Sequence, residues 1–383
     1  MRPKLIRAII IGGGIGGLTA SIALRNEGFS TDVFERTPEF TALGVGVILC
    51  PNAIKAFGAL ERGIRERIIR RGAPMSDDWI HRPHPRDDGS PAERSAARTL
   101  EQEFGAPQVA IRRSVLLDIL VRAHGRRGLH AGCELVNLKD DGDTTTARFA
   151  DGTRADGDVL IGADGIGSAV RRIVHGDRRA DYTGWSNLRG LTPLDKVPAE
   201  IRNGAAFGDE DTRILGCPVD PGTYYWSANV RVPADTWHRA DTEATRARLL
   251  ERIADWSLFP RVVREGARQT LVAREHRDRP PLEGWTVGQV TLLGDAAHPM
   301  TNMWGQGAAT SAEDGVILAR CMSAAPGDHS TLGLYDANRV PRTTRIVLAS
   351  HAYGHHRDAV EFTRWLYSYE PASVPLVPPP VSA

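Results

Sequence analysis

The sequence predicts an α/β fold in which a parallel, dinucleotide-binding sheet is interrupted by an antiparallel-sheet domain and followed by C-terminal helices. Three observations predict it. The chain opens with Ile9-Ile10-Ile11 running into Gly12-Gly13-Gly14-Ile15-Gly16-Gly17 and then a helical pattern. Between about Tyr182 and Trp285 its character changes, with scattered aromatic residues and alternating stretches such as Tyr224-Tyr225-Trp226-Ser227-Ala228-Asn229-Val230. A short buried-strand pattern, Val290-Thr291-Leu292-Leu293, then returns and ends in Gly294-Asp295.

The first element is a strand, a G-x-G-x-x-G turn, a helix and a second strand, Thr31-Asp32-Val33-Phe34, closed by Glu35. That order and spacing define a Rossmann-like unit. Gly12 permits the tight turn, Gly14 lets the backbone approach a pyrophosphate that a side chain would exclude, and Gly17 lets the helix pack on the sheet. The helix N-terminus offers free N–H groups to the anion. Glu35 is placed to accept hydrogen bonds from a ribose diol, so a cofactor with an adenosine half is implied.

Residues 75–105 break the α/β rhythm with Trp79, neighbouring His and Pro residues and the charged stretch Asp87-Asp88-Gly89-Ser90-Pro91, and predict strands with a loose loop. Ile111-Arg112-Arg113-Ser114 then begins an amphipathic helix with Val115, Leu116, Ile119 and Leu120 on one side. Asp151-Gly152 is a hairpin signal, and Val159-Leu160-Ile161 is a buried strand ending in Gly162-Ala163-Asp164-Gly165. Three strands therefore deliver Gly or Asp at their C-terminal ends, the edge at which open α/β sheets bind ligands. Gly305-Gln306-Gly307-Ala308 opens a further helix, whose positive end suits an electron-rich or anionic cofactor ring.

These patterns divide the chain into a discontinuous first domain (1–74, 106–181 and 286–330), a substrate domain (75–105 and 182–285), a helical segment (331–370) and a disordered proline-rich tail (371–383). With 383 residues, 41% of them hydrophobic, the chain can bury one large core or two smaller ones. The net charge of +1 provides no field to draw in nucleic acid or an anionic membrane. Cys50, Cys133, Cys217 and Cys321 are far apart and form no C-x-x-C pair, so they read as reduced thiols of a bacterial cytoplasmic protein, a monomer or homodimer. No transmembrane segment is expected. His355 and His356 lack a nearby carboxylate pattern and read as solvated or packed residues, leaving no metal site.

Taken together, Gly12-x-Gly14-x-x-Gly17 with Glu35, Asp158 to Gly165, Gly294-Asp295-Ala296-Ala297-His298-Pro299 and Gly305-Gln306-Gly307 resemble the single-component FAD-dependent aromatic hydroxylases of the para-hydroxybenzoate hydroxylase fold. The likeness spans nearly the whole chain in the right order, and the stretch around Arg213 looks most like the urate hydroxylase and hydroxynicotinate monooxygenase branch. It implies a GR2-type FAD-binding domain, in which Gly12, Gly14, Gly16 and Gly17 hold the pyrophosphate and Glu35 the adenosine ribose. Arg36, Ile48, Arg113 and Leu135 fall among the cofactor-binding positions, Arg113 at the middle of FAD. Asp295 would bind the ribityl chain, and the amides of Gly305, Gln306, Gly307 and Ala308 would face the flavin's pyrimidine edge. Asp164 falls in the family's motif supporting both FAD and NAD(P)H, or else caps the helix that follows.

The resemblance further implies a monooxygenase. FAD, tightly but non-covalently bound, is reduced by transient NADPH or NADH, captures O2 as a flavin C4a-hydroperoxide, and transfers one oxygen atom to an electron-rich aromatic or heteroaromatic small molecule. Arg213 and Tyr225 align with residues that face flavin and substrate in the urate-hydroxylating branch, and Trp226, Phe207, Met303 and Trp304 are candidate pocket walls. Asn302 stands where many relatives have proline beside the flavin, which leaves open an altered outcome such as Baeyer–Villiger insertion or oxidative decarboxylation. His298 reads as a structural hydrogen-bonding group. A halogenase is disfavoured by the absence of a Trp-x-Trp-x-Ile-Pro segment; a non-catalytic flavin-binding protein would show no substrate-stimulated NAD(P)H oxidation.

Overall fold

The structure is a computed structural model, and it describes residues 6–40, 45–61, 63–82, 93–94, 97–176, 179–237, 241–326, 328, 330–352 and 359–379. His355, His356 and the Asp87 to Pro91 stretch lie outside the described residues.

The Ile-rich opening forms the strand Arg7–Ile11 at the centre of a five-stranded parallel sheet. Across the sheet the order is Val290–Leu292, Val159–Gly162, Arg7–Ile11, Ser30–Glu35 and Leu129–Ala131. Ala8, Ile9 and Ile10 are fully buried, which is why this strand is a continuous apolar run instead of an alternating one. The helix Ile15–Asn26 packs on the helix Gly307–Ala324 at very close range, since a Cβ on Gly315 would lie 2.7 Å from the Ala20 backbone nitrogen. The C-terminal third of the chain is thereby fastened to the first turn of the fold.

The alternating region forms a seven-stranded sheet in the order Val272–Asp278, Asp181–Pro193, Thr223–Arg231, Thr212–Asp220, Ala205–Gly208, Ile80–Arg82 and Glu93–Arg94. Its pairs are antiparallel except Ala205–Gly208 with Ile80–Arg82, so two strands from the early excursion complete it. The period of two sorts its side chains. Tyr224, Trp226, Ala228 and Val230 enter a core with Ile214, Phe207, Leu249 and Phe259, beneath the helices Thr242–Arg252 and Phe259–Arg264. Tyr225, Ser227 and Asn229 occupy the opposite face. Trp226 and Phe207 are thus core residues and not pocket walls, and the Trp226 Nε1–H is satisfied by Thr192 Oγ1 at 3.1 Å.

The C-terminal helices span Ser330–His351 and Ala359–Tyr367. The proline-rich tail, expected to be disordered, is packed over residues 371–379. Asn338 bonds Val377 in both directions, Arg320 donates to the Pro371 carbonyl at 2.7 Å, and Val374 and Leu376 lie against the main core. These contacts supply the side-chain anchors that composition alone does not reveal.

Candidate active site

A cleft of about 700 Å³ runs between the C-terminal edge of the parallel sheet and the polar face of the seven-stranded sheet. At one end stands the glycine turn. Gly12 has φ of 109°, and a Cβ there would sit 2.3 Å from the Ala163 carbonyl oxygen; on Gly17 it would sit 1.9 Å from the Gly12 oxygen. Both positions are closed to any side chain for reasons of fold. Gly14 is different: a Cβ there meets no atom within 4 Å, because the position faces the cleft. The helix that follows has no side-chain cap and no acidic residue in its first turn, so its N-terminal amides remain available to a diphosphate.

Glu35 lines the cleft with Arg36 at the end of the neighbouring strand. Its carboxylate accepts the Gly13 N–H at 2.7 Å and the Thr37 N–H at 2.9 Å, which fixes it at the rim of the glycine turn. Leu135, Ile48 and Gly16 also border the cleft. Arg113 heads the helix Arg113–His124; burial lowers its pKa, opposed by Asp295 and reinforced by Arg189, and the group stays charged. Asp164 lines the cleft and also caps the helix Ala169–His175, accepting the Ala169 N–H at 2.7 Å and the Val170 N–H at 3.2 Å. Burial pushes its carboxyl above the ordinary range.

At the far end the turn Gly294 to His298 and the turn before the helix Gly307–Ala324 meet. Asp295, Gly305, Gly307 and Ala308 line the cleft, and Gly305 adopts φ of 64° with open space where a Cβ would stand. The Gln306 side chain points inward, accepting from Asn52 Nδ2 at 2.9 Å. Asp314, fully buried, accepts the Gly294 N–H at 3.0 Å and bonds His298 Nε2 at 2.6 Å, while its other oxygen takes Arg339 Nε at 2.7 Å. Glu313 beside it pairs with Arg342 and accepts from Asn52. His298 is therefore a structural hydrogen-bonding group. Trp304 is drawn away from the cleft, donating to the Ala349 carbonyl at 3.1 Å and packing on Phe362. Asn302 lines the cleft, and Met303 Sδ contacts Asn229 Nδ2 at 3.8 Å.

From the seven-stranded sheet, Tyr225, Ser227, Leu215, Arg189, Arg274 and His276 line the cleft. Arg213 and Tyr225 do lie on adjacent strands and on one face, but Arg213 pairs in register with Asn229, and its guanidinium lies over the Trp185 ring at 5.5 Å. Arg189 stands in the cleft instead, interacting with the Tyr225 hydroxyl, and its Nε is buried without a hydrogen-bond partner among the described residues. Sequence reasoning missed Arg189, Arg274 and His276. Their signal was polar side chains recurring at period two in strands otherwise buried, at Asn187 and Arg189 and at Arg274 and His276.

An open, glycine-lined groove for a diphosphate, a carboxylate at the ribose position, a second helix N-terminus and a polar floor fit an extended dinucleotide with a large ring at its far end. This fold and site define an FAD-dependent monooxygenase. Residues 6–350 match the FAD binding domain family, and the chain belongs to it. It is 32% identical over 351 residues to the aurachin C monooxygenase/isomerase of Stigmatella aurantiaca, covering 91% of this chain and 89% of that protein. To 6-hydroxynicotinate 3-monooxygenase of Pseudomonas fluorescens it is 30% identical over 387 residues, covering 98% of each. The crystal structure of Klebsiella pneumoniae HpxO complexed with FAD and uric acid superposes with a TM-score of 0.83 at 27% identity, over 96% of this chain and 93% of that one. Among the described residues no helix is long and apolar enough to cross a membrane, and no His, Cys, Asp and Glu group could hold a metal ion.

Proposed function

We propose that this monooxygenase acts on a small aromatic or heteroaromatic molecule in its anionic form, held between the flavin position and the polar floor of the seven-stranded sheet. The observation that carries this reading is Arg189, a cation in the cleft whose buried Nε has no hydrogen-bond partner among the described residues. A buried donor of this kind is costly unless a ligand satisfies it. Arg274 adds a second positive charge on the same floor.

When bound, FAD supplies the hydride and oxygen chemistry, with NADH or NADPH as reductant and O2 as co-substrate. The chain's own residues bind and orient it. Gly12, Gly14, Gly16 and Gly17 would hold the pyrophosphate, Glu35 and Arg36 the adenosine half, Arg113 and Asp295 the central chain. The amides at Gly305 to Ala308 would stabilise negative charge at the ring edge, with the dipole of the Gly307–Ala324 helix behind them. Tyr225, kept protonated by burial, donates to the substrate oxygen. The pairing role expected of Arg213 falls in this reading to Arg189, with Arg213 bracing Trp185 on the same face. The anionic group of the substrate is favoured beside two guanidinium groups, and its electron-rich ring is the nucleophile toward activated oxygen. Asn302 borders the reaction position with its backbone and amide. The four free cysteines support work in a reducing bacterial cytoplasm, and a monomeric or homodimeric state completes this reading.

The test is NAD(P)H oxidation in air by the FAD-loaded protein, with hydroxybenzoates and hydroxylated N-heteroaromatic acids set against their neutral amides. The anions stimulate oxidation at least about tenfold more than the amides. Equal stimulation by both overturns the anionic reading, and product masses read in parallel separate oxygen addition from addition with loss of the carboxyl group.

A further inference from the structure

The donor and acceptor pattern of the polar floor can be read outward from a backbone carbonyl. The Ala228 carbonyl can only accept, so the Asn187 atom 3.0 Å from it is an amide nitrogen, a donor. That same Nδ2 lies 2.8 Å from Ser227 Oγ and, at its shortest contact, 2.7 Å from the side-chain oxygen of Asn229, which accepts. His276 Nε2 lies 3.0 Å from the same Asn229 oxygen, so Nε2 carries the ring's hydrogen. Nδ1 is left as the acceptor of a neutral imidazole, and no protein hydrogen bond to it is found among the described residues. Burial, reinforced by the charge of Arg189, holds this imidazole neutral by lowering its pKa to about 3.

A different pattern stands beside it. Arg189 can only donate, and the Tyr225 hydroxyl near it, kept protonated by burial, carries one hydrogen. The floor therefore offers donors at Arg189 and Tyr225 and an acceptor at His276. A simple anion satisfies the first two and leaves the third unpaired. An acceptor on the cleft lining that a bound ring covers without pairing discriminates strongly between ligands that can and cannot satisfy it.

We propose that His276 is a specificity-determining residue: its Nδ1 accepts a hydrogen bond from an N–H or O–H group that the substrate ring carries beside its anionic group. The preferred substrates are thus ring acids with a vicinal donor, such as lactam-type N-heteroaromatic acids or ortho-hydroxy acids. This rests on the reading that the substrate is anionic.

The experiment follows the absorbance change of FAD-loaded protein on titration with two matched pairs. One is 6-hydroxypicolinate, whose lactam N–H neighbours the carboxylate-bearing carbon, and its N-methyl lactam counterpart; the other is salicylate and 2-methoxybenzoate. Each pair keeps the carboxylate and removes the donor. In the wild type the parent binds at least about tenfold more tightly than its methylated partner in one pair or both. In His276→Phe, whose ring keeps the wall in place, that ratio falls to within about threefold, whereas a purely steric preference would persist. Asn229→Leu, which removes the group fixing the tautomer, reduces the ratio as well and serves where His276→Phe does not fold. Wild-type ratios within about twofold in both pairs, with the anions still bound, overturn the role of His276 alone. Binding of neutral amides in place of all four anions overturns the anionic reading and this proposal with it.

Discussion

His298 Nε2 lies 2.6 Å from Asp314 Oδ2 in the interior of the protein, and the same carboxylate oxygen accepts the Gly294 backbone N–H. One side chain thus holds both ends of the turn that carries Asp295, and it does so from the helix whose N-terminus borders the other side of the cleft. Burial alone would push the Asp314 carboxyl up; His298 and Arg339 outweigh it and hold the group below the ordinary carboxylate range. The cost of burying these charges is met by mutual pairing with Arg339, which is itself fully buried.

Replacing Asp314 by Asn therefore leaves Arg339 without half of its counter-charge and loosens the Asp295 turn. Unfolding stability drops by about 3 kcal/mol or more, and FAD affinity falls together with it. Denaturant titration and flavin fluorescence on the same preparation check both; a loss below about 1 kcal/mol with FAD retained contradicts the clamp.

The two glycines of the opening turn separate fold from ligand. Gly14→Val places a side chain into open cleft, so FAD affinity falls at least about tenfold while the melting temperature of the FAD-free protein is unchanged. Gly17→Ala drives a methyl group into the Gly12 carbonyl and lowers stability itself. The opposite pattern, with Gly14→Val unstable and Gly17→Ala neutral, contradicts the placement of the pyrophosphate.

Arg189 and Arg213 share a sheet face but not a position. Arg189→Ala weakens binding of anionic aromatic ligands by about a hundredfold, as expected for loss of a buried charge partner, with FAD still bound. Arg213→Ala changes it by less than about threefold, since its guanidinium stacks on Trp185. Ligand titrations monitored by flavin absorbance distinguish them, and a larger effect at Arg213 reverses the assignment.

Stability depends on pH with a definite sign. His276 is neutral in the folded protein down to about pH 3, whereas an unfolded histidine takes a proton near its ordinary value of about 6.5. Between these values the unfolded state binds more protons, so stability falls as pH falls, by up to about 1.4 kcal/mol per unit for this residue. His124, lowered by burial, adds in the same direction. Glu313 and Asp314, held low, keep their contribution above the ordinary carboxylate range and lose it only as the pH falls through their depressed folded values. Unfolding measured from pH 7 to pH 4 shows the decline, and His276→Phe flattens it; a wild-type profile level down to about pH 5 contradicts the neutral buried imidazole.

The parts of the fold written in local pattern were legible in the sequence. The Ile9 to Gly17 turn and the Gly-Asp strand ends are short-range devices whose residue types are dictated by backbone geometry and ligand approach, and they announce the FAD-binding class directly. What stayed hidden depends on strand register and long-range pairing. A period of two places Arg189, Arg213 and His276 on one face, but only the pairing of Asp181–Pro193 with Thr223–Arg231 and Val272–Asp278 decides which of them reaches the cleft. Trp226 lies in the core although its neighbour Tyr225 lines the cleft, since a single step along a strand reverses the face. The tail read as loose because proline-rich composition says nothing of anchors such as Asn338, some forty residues earlier.

Monooxygenation is tested most directly by turnover with NAD(P)H under heavy-isotope dioxygen, using an anionic aromatic acid that stimulates NAD(P)H oxidation, with the product analysed by mass spectrometry. One labelled oxygen atom is expected in the product, with consumption of the reductant coupled to it. Stimulated NAD(P)H oxidation that yields only labelled hydrogen peroxide, or a product whose new oxygen comes from water, across the full set of anionic acids, contradicts it.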